Sequence, residues 1–96
     1  MARLSEEEID ERLAGADGWE RDGDAIRREF ECGDFKGSVD FVNLITPEAE
    51  GMNHHPDLAI SWSTVTVTIT THSEGGLTEN DFELARRIAT LAPAAE

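Results

Sequence analysis

The stretch LAISWSTVTVTITT, residues 58–71, predicts two neighbouring strands. In its second half, valines and an isoleucine alternate with threonines, and this period of two places one face of a strand against a core. We expect one strand from Leu58 to Trp62 and another from Thr64 to Thr71. The opposite face, which carries the threonines, can be exposed to solvent or used for assembly.

A helix is expected on the N-terminal side of this strand pair, beginning after Asp34. Apolar residues recur there at three- and four-residue steps, which places them on one helical face. These residues are Phe35, Val39, Val42, Ile45 and Ala49. Thr46 and Pro47 interrupt the pattern as an N-cap followed by proline, so we expect a kink or a restart at this point. Gly51 is expected to end the helix.

A further helix is expected on the C-terminal side of the strand pair, after two glycines close the second strand. Thr78 is its predicted N-cap, and Asp81 stands at the third helical position, where a carboxylate favours a helix start. The apolar stripe of this helix comprises Phe82, Ala85, Ile88, Ala89 and Ala92. The tail from Pro93 to Glu96 is expected to fray.

The N-terminal third of the chain predicts one more helix and one more strand pair. Ser5 and Glu8 have the spacing of a capping box, in which each side chain binds a free backbone N–H of the first turn. Strands are expected from Trp19 to Arg21 and from Ala25 to Phe30, since an Asp-Gly pair between them is a strong hairpin signal.

The predicted order of elements is therefore α-β-β-α-β-β-α. This order indicates an α+β fold, a four-stranded and mainly antiparallel sheet with three helices on one face. Residues 1–96 are expected to form a single domain, since the chain is too short for two. A core of this size would gain stability from burial between subunits.

Composition excludes several classes of protein. The net charge of −13 would repel phosphate backbones, so nucleic-acid binding is not expected. No apolar run is long enough to cross a membrane and the N-terminus does not resemble a signal peptide, so the expected location is cytoplasmic. The single cysteine, Cys32, excludes an internal disulfide. The excess of acidic residues is typical of soluble proteins and also fits a proteome adapted to high salt, which solubility in dilute buffer and molar KCl would test.

The histidines are the residues most indicative of chemistry. His54 and His55 lie between Gly51 and Pro56, which mark a loop where two adjacent rings can be splayed around a pocket. His72 is expected at the end of the last strand. If the two strands of residues 58–71 pair as a hairpin, all three imidazoles converge at one rim of the sheet.

Three interpretations of this convergence are open. The histidines could be surface residues without a chemical role. They could form a three-His zinc site with an open position, surrounded by second-layer groups such as Asn53 and Glu74. They could also act as general acids and bases without a metal, because imidazole titrates near neutral pH.

A wider pattern resembles the pterin-4a-carbinolamine dehydratase family. The matching residues are Glu50-Gly51-Met52-Asn53-His54-His55-Pro56-Asp57, Trp62, Thr71-His72-Ser73 and Gly76-Leu77-Thr78 with Asp81. Trp19, after Gly18, also stands where that family has a tryptophan. The resemblance extends from about residue 4 to residue 91.

The resemblance implies dehydration of a 4a-hydroxytetrahydropterin to the quinonoid dihydropterin, with no metal and no other cofactor. It also implies a homo-oligomer, a dimer or a tetramer. It implies that His54 and His72 form an acid/base pair and that His55 orients the ring and shares the proton transfers. The residues implied to contact or tune the substrate site are Glu50, Asn53, Pro56, Thr71, Ser73, Glu74 and Trp19. A non-catalytic assembly or regulatory module and a three-His zinc hydrolase are the alternatives.

Overall fold

The computed structural model describes residues 2–93 as three helices, four strands and a 3-10 turn. In chain order they are α1 (Glu6–Ala14), β1 (Glu20–Asp22), β2 (Ala25–Glu31), α2 (Phe35–Met52), β3 (Asp57–Ser61), β4 (Thr64–Ile69), the 3-10 turn (His72–Glu74) and α3 (Glu79–Leu91). This is the predicted order and the predicted α+β class. The tail from Pro93 to Glu96 is expected to fray, and its last three residues lie outside the described range.

The strands form one antiparallel sheet in the order β1-β2-β4-β3. In β4 the valines and the isoleucine are fully buried while the threonines between them are partly exposed, as the period of two predicts. Register pairs Val65 with Phe30 and Ile69 with Ile26, so these side chains share one face. The helices cover this face, and the opposite face carries threonines and charges.

The capping box at the start of α1 is confirmed. The Ser5 hydroxyl accepts from the Glu8 N–H, and the Glu8 carboxylate accepts from the Ser5 N–H at 2.9 Å. None of the helices within residues 2–93 is both long enough and apolar enough to span a bilayer.

Of the two alternatives expected at Pro47, the restart is wrong, because α2 is one helix that continues through the proline. Proline has no backbone N–H, so the carbonyl of Asn43, four residues earlier, receives no helical hydrogen bond. Asn43 is exposed, so water can bind this carbonyl instead. Thr46 is no N-cap: its hydroxyl donates to the Val42 carbonyl at 3.0 Å. The buried Ile45 and Ala49 anchor the helix on both sides of the proline.

The buried stripe of α2 also differs from the predicted one. Phe41 is almost fully buried, with its ring centroid 4.9 Å from that of Phe30, whereas Phe35 is 57% exposed. Ser38 is buried because its hydroxyl donates to the Trp62 carbonyl at 2.7 Å. Trp62, predicted as the last residue of the strand that begins at Leu58, instead lies in the β3–β4 turn and is 71% exposed.

Candidate active site

The end of α2 sends the two adjacent histidines away from the helix. The helix does not end at Gly51, as expected, but continues to Met52. Asn53 then takes the left-handed conformation, with φ 50° and ψ 43°, a helix cap that asparagine tolerates. The His54 N–H donates to the Ala49 carbonyl at 3.0 Å, so the chain reverses direction before Pro56 and β3.

His54 is held by a carboxylate from α3. Its Nε2 lies 2.6 Å from Asp81 Oδ1. Asp81 is completely buried, and its other oxygen accepts from the Thr71 hydroxyl and from the Thr78 N–H, both at 2.8 Å. The His54 side chain is only 11% exposed. We call His54 and Asp81 the buried dyad.

His55 is held by a carboxylate on its own side of the loop. Its Nε2 lies 2.5 Å from Glu50 Oε2, and Glu50 is in the last turn of α2. The His55 side chain is 56% exposed and the Glu50 side chain is 68% exposed. We call His55 and Glu50 the exposed dyad.

The two dyads fix the hydrogens of the rings in the same way. An ionised carboxylate can only accept a hydrogen bond, so Nε2 of each imidazole must carry the hydrogen. The Nδ1 atom of each neutral ring is then the basic nitrogen. When Nδ1 takes up a proton, the carboxylate stabilises the resulting imidazolium, as in catalytic triads. The arrangement is therefore suited to general acid/base catalysis.

His72 lies on a turn beside the buried dyad. It does not end β4, as expected, because β4 stops at Ile69 and His72 opens the 3-10 turn. Thr71, the residue before it, forms a backbone bridge with Gly76, and its hydroxyl is 3.5 Å from His54 Nε2. His72, Ser73 and Glu74 are exposed on this turn.

The remaining residues implied in substrate contact have different surroundings. Asn53 is exposed and Pro56 is half-buried, both on the loop that carries the histidines. Trp19 lies in the core, 7% exposed, with its ring edge-on to Phe30 at 5.9 Å. It lines a cavity between α1 and α3 rather than the histidine loop.

The participation of Asp81 in the site was not predicted from the sequence. Its position at the start of α3 predicts a helix-capping role, and it does accept from the Thr78 N–H. A carboxylate has two oxygens, however, and the second one binds His54. The available signal for this contact was the presence of Asp81 in the pattern that resembles the family. A helix-capping role was sufficient to explain that position, so the contact with His54 was not predicted.

A zinc site has no counterpart in this arrangement. Within residues 2–93, no three side chains of His, Cys, Asp or Glu are grouped so that they could hold a metal ion. His54 and His55 each direct Nε2 to a separate carboxylate instead of a common point.

The family model and the similar proteins carry the same family description. The family model described as pterin 4 alpha carbinolamine dehydratase matches residues 2–91. A protein of Thermosynechococcus vestitus named "putative pterin-4-alpha-carbinolamine dehydratase" is 48% identical over 90 residues, which cover 94% of this chain and 95% of the relative. A protein of the same name from Mycobacterium avium is 47% identical over 88 residues, 92% of this chain and 94% of its own length.

Two solved structures share the fold. A protein described as a transcriptional coactivator/pterin dehydratase from Brucella melitensis superposes with a TM-score of 0.90 at 38% identity, covering 95% of this chain and 99% of that one. A pterin dehydratase-like protein described as a RuBisCO assembly factor in the alpha-carboxysome superposes with a TM-score of 0.64 at 18% identity, covering 80% and 89%, which shows likeness of fold alone. From the extent of the model match and the identity of these relatives, the chain belongs to the pterin 4 alpha carbinolamine dehydratase family.

Proposed function

We propose that the protein dehydrates a 4a-hydroxytetrahydropterin to the quinonoid dihydropterin by histidine acid/base catalysis. The observation that carries this proposal is the pair of carboxylate-held imidazoles on adjacent residues, in a chain of this family. Both rings have a basic Nδ1 atom, and both residues lie on the loop between α2 and β3.

The reaction needs two proton transfers and no change of oxidation state. The hydroxyl on C4a leaves as water after it gains a proton, and N5 loses a proton as its double bond to C4a forms. Because no electrons enter or leave, the stoichiometry requires no redox cofactor. Each well-placed acid or base contributes about 10²- to 10⁴-fold to the rate.

In this proposal His54 is the base that takes the N5 proton. Its partner Asp81 is completely buried, and a buried carboxylate stabilises the imidazolium that results more strongly than an exposed one. His72 supplies the proton to the leaving hydroxyl from its exposed turn. His55 orients the ring and exchanges protons with solvent.

The test is the turnover of freshly generated 4a-hydroxytetrahydropterin, followed by ultraviolet absorbance after treatment with a chelator. We expect wild-type protein to accelerate dehydration and His54→Ala and His72→Ala to lose about 10²-fold or more each. Arg27→Gln, on the open face of the sheet, is the matched control and should retain the wild-type rate. Rates should be measured in dilute buffer and in molar KCl.

The main alternative is an assembly or regulatory module without catalysis. The structural likeness to a protein described as an assembly factor motivates it, although that likeness concerns the fold alone. A folded wild-type protein that gives no acceleration at either salt concentration would favour this alternative. Loss of activity on chelation would contradict the metal-free mechanism. Stoichiometric zinc in an elemental analysis would favour a three-His zinc hydrolase instead.

We also propose that the protein assembles with copies of itself. The outer edge of the sheet is β3, where Ile60 is 39% exposed, and the adjoining turn exposes Trp62. Such apolar side chains beside an unpaired strand edge are suited to pairing between subunits. Light scattering after size exclusion should give a dimer or tetramer, and Ile60→Lys should shift it to the monomer. A monomeric wild type would refute the assembly.

A further inference from the structure

A cavity of about 430 Å³ lies between α1, β2 and α3, away from both dyads. Its lining includes three arginines and an apolar surface, formed by Arg12, Arg28, Arg86, Trp19, Phe82 and Ala85. None of the described lining residues belongs to a dyad. The size is within the usual range for small-molecule sites. Three guanidinium groups at one cavity are unexpected in a chain with a net charge of −13.

Arg28 differs from the other two arginines in its partners. Arg12 binds the Glu79 carboxylate through two nitrogens at 2.8 Å each, and Arg86 binds Glu83 at 2.6 Å. Arg28 has no carboxylate within ion-pair distance among residues 2–93, and its Nη1 donates to the backbone carbonyl of Asp17 at 3.0 Å. Most of its five N–H groups are therefore available to a ligand.

The guanidinium of Arg28 is also fixed in position. Its central carbon lies 4.4 Å from the centroid of the Phe30 ring, a cation–π contact. A Cβ atom at Gly18 would lie 2.8 Å from Arg28 Nε, so the guanidinium occupies space that the absent side chain of Gly18 leaves open. Gly18 also has φ +87°, which glycine adopts without strain. A cation held in this way loses little entropy when an anion binds.

We propose that this cavity is a second binding site, specific for a small organic carboxylate with an apolar body. The carboxylate would bind the free N–H groups of Arg28 in the two-pronged geometry that guanidinium favours. The apolar body would lie on Trp19, Phe82 and Ala85. A neutral molecule of the same shape gains only the apolar part of this interaction, so the site selects for the negative charge.

The proposal can be tested with 3-phenylpropionate as the probe and 3-phenylpropionamide as its neutral counterpart. The chain has two tryptophans, so Trp62→Phe leaves Trp19, which lines the cavity, as the only fluorescent reporter. In this background we expect a saturable fluorescence change with the carboxylate. The amide should bind about tenfold more weakly or worse.

Three substitutions in the same background identify the site. Arg28→Gln should weaken binding of the carboxylate about tenfold without changing that of the amide, and Arg28→Lys should restore part of the loss. Ala89→Phe, which fills the cavity from α3 and keeps all charges, should abolish binding of both probes. Arg27→Gln, the neighbour on the opposite face of β2, is the matched control and should leave both affinities unchanged.

Two results would overturn the proposal. One is that 3-phenylpropionate binds the Trp62→Phe protein no more tightly than 3-phenylpropionamide does. The other is a folded Ala89→Phe protein, by circular dichroism, with wild-type affinity for both probes. Neither result bears on the dehydratase reaction, because the variants leave the dyads intact and turnover of the pterin is measured separately.

Discussion

The buried and exposed dyads pair the same two chemical groups in opposite surroundings. His54 is 11% exposed and its partner Asp81 is completely buried, whereas the side chains of His55 and Glu50 are each more than half exposed. The imidazole–carboxylate distances are nearly equal, at 2.6 and 2.5 Å. Distance alone therefore does not distinguish the two dyads.

The two dyads differ in what surrounds each carboxylate. Asp81 accepts two further hydrogen bonds, from Thr71 and Thr78. These hydrogen bonds hold the carboxylate in place for its contact with His54. Glu50 remains in solvent, which screens its attraction for His55 and allows both side chains to move. Adjacent residues thus give one imidazole with a buried partner and one with an exposed partner. In the proposed reaction the first is the proton acceptor and the second orients the substrate.

The largest expected effect comes from removing the buried carboxylate. Asp81→Ala would leave the Thr78 N–H, the Thr71 hydroxyl and His54 without their common partner. We expect a loss of about 3–5 kcal/mol in the free energy of unfolding, measured by urea denaturation. Glu79→Ala, in the same turn but exposed, should cost about 1 kcal/mol or less. Equal losses from both variants would remove the basis for the comparison.

A substitution that keeps the shape of the side chain tests the charge of the buried carboxylate. Asp81→Asn retains one acceptor oxygen, for His54 or for the helix cap, and no longer carries the negative charge that stabilises an imidazolium. We expect the dehydration rate to fall about 10²-fold, with pterin KM changed much less. A folded variant with wild-type kcat would show that Asp81 serves only the helix cap.

The same change in the exposed dyad should have a smaller effect. Glu50→Gln is expected to lower kcat by about fivefold at most, because an exposed pair contributes about 1 kcal/mol or less. Its urea midpoint should remain close to that of the wild type. If Glu50→Gln proved as damaging as Asp81→Asn, burial would not be the property that distinguishes the dyads.

The smallest effect concerns a carboxylate that belongs to neither dyad. Hydrogen bonds from Arg86 and then Arg87 lower the pKa of Glu83 from 4.5 to about 2. Because the folded-state pKa is depressed, the stabilisation is present above pH 4.5 and is lost as pH falls toward 2. Glu83→Gln should therefore be slightly less stable than wild type at pH 7, and the two should converge near pH 2. A difference that persisted at pH 2 would contradict this pairing.

The sheet and the helix starts were predictable because their signals are local. The alternation in β4 and the capping box of Ser5 and Glu8 each depend on neighbouring residues, and both are present as expected. The course of α2 through Pro47 was not predictable, because buried side chains on both sides of the proline outweigh one missing hydrogen bond. The exposure of Phe35 likewise depends on which face of α2 meets the sheet.

The site was predictable in part for a similar reason. The loop position of His54 and His55 follows from the residues that flank them. The pairing of His54 with Asp81 joins residues 27 positions apart, and it depends on how α3 docks against the loop. A local pattern describes Asp81 only as a helix cap, and the shared use of its two oxygens requires three dimensions.

The arrangement of the chain has a practical consequence for engineering. The side-chain hydrogen bonds of both dyads are made by residues between Glu50 and Asp81. The turn between β1 and β2 is exposed, and at Gly23, where φ is +61°, no atom would lie within 4 Å of an added Cβ. Exposed turns of this kind accept inserted segments with little penalty. A tag or a second domain could therefore be placed between Asp22 and Gly23 while the histidines keep their partners.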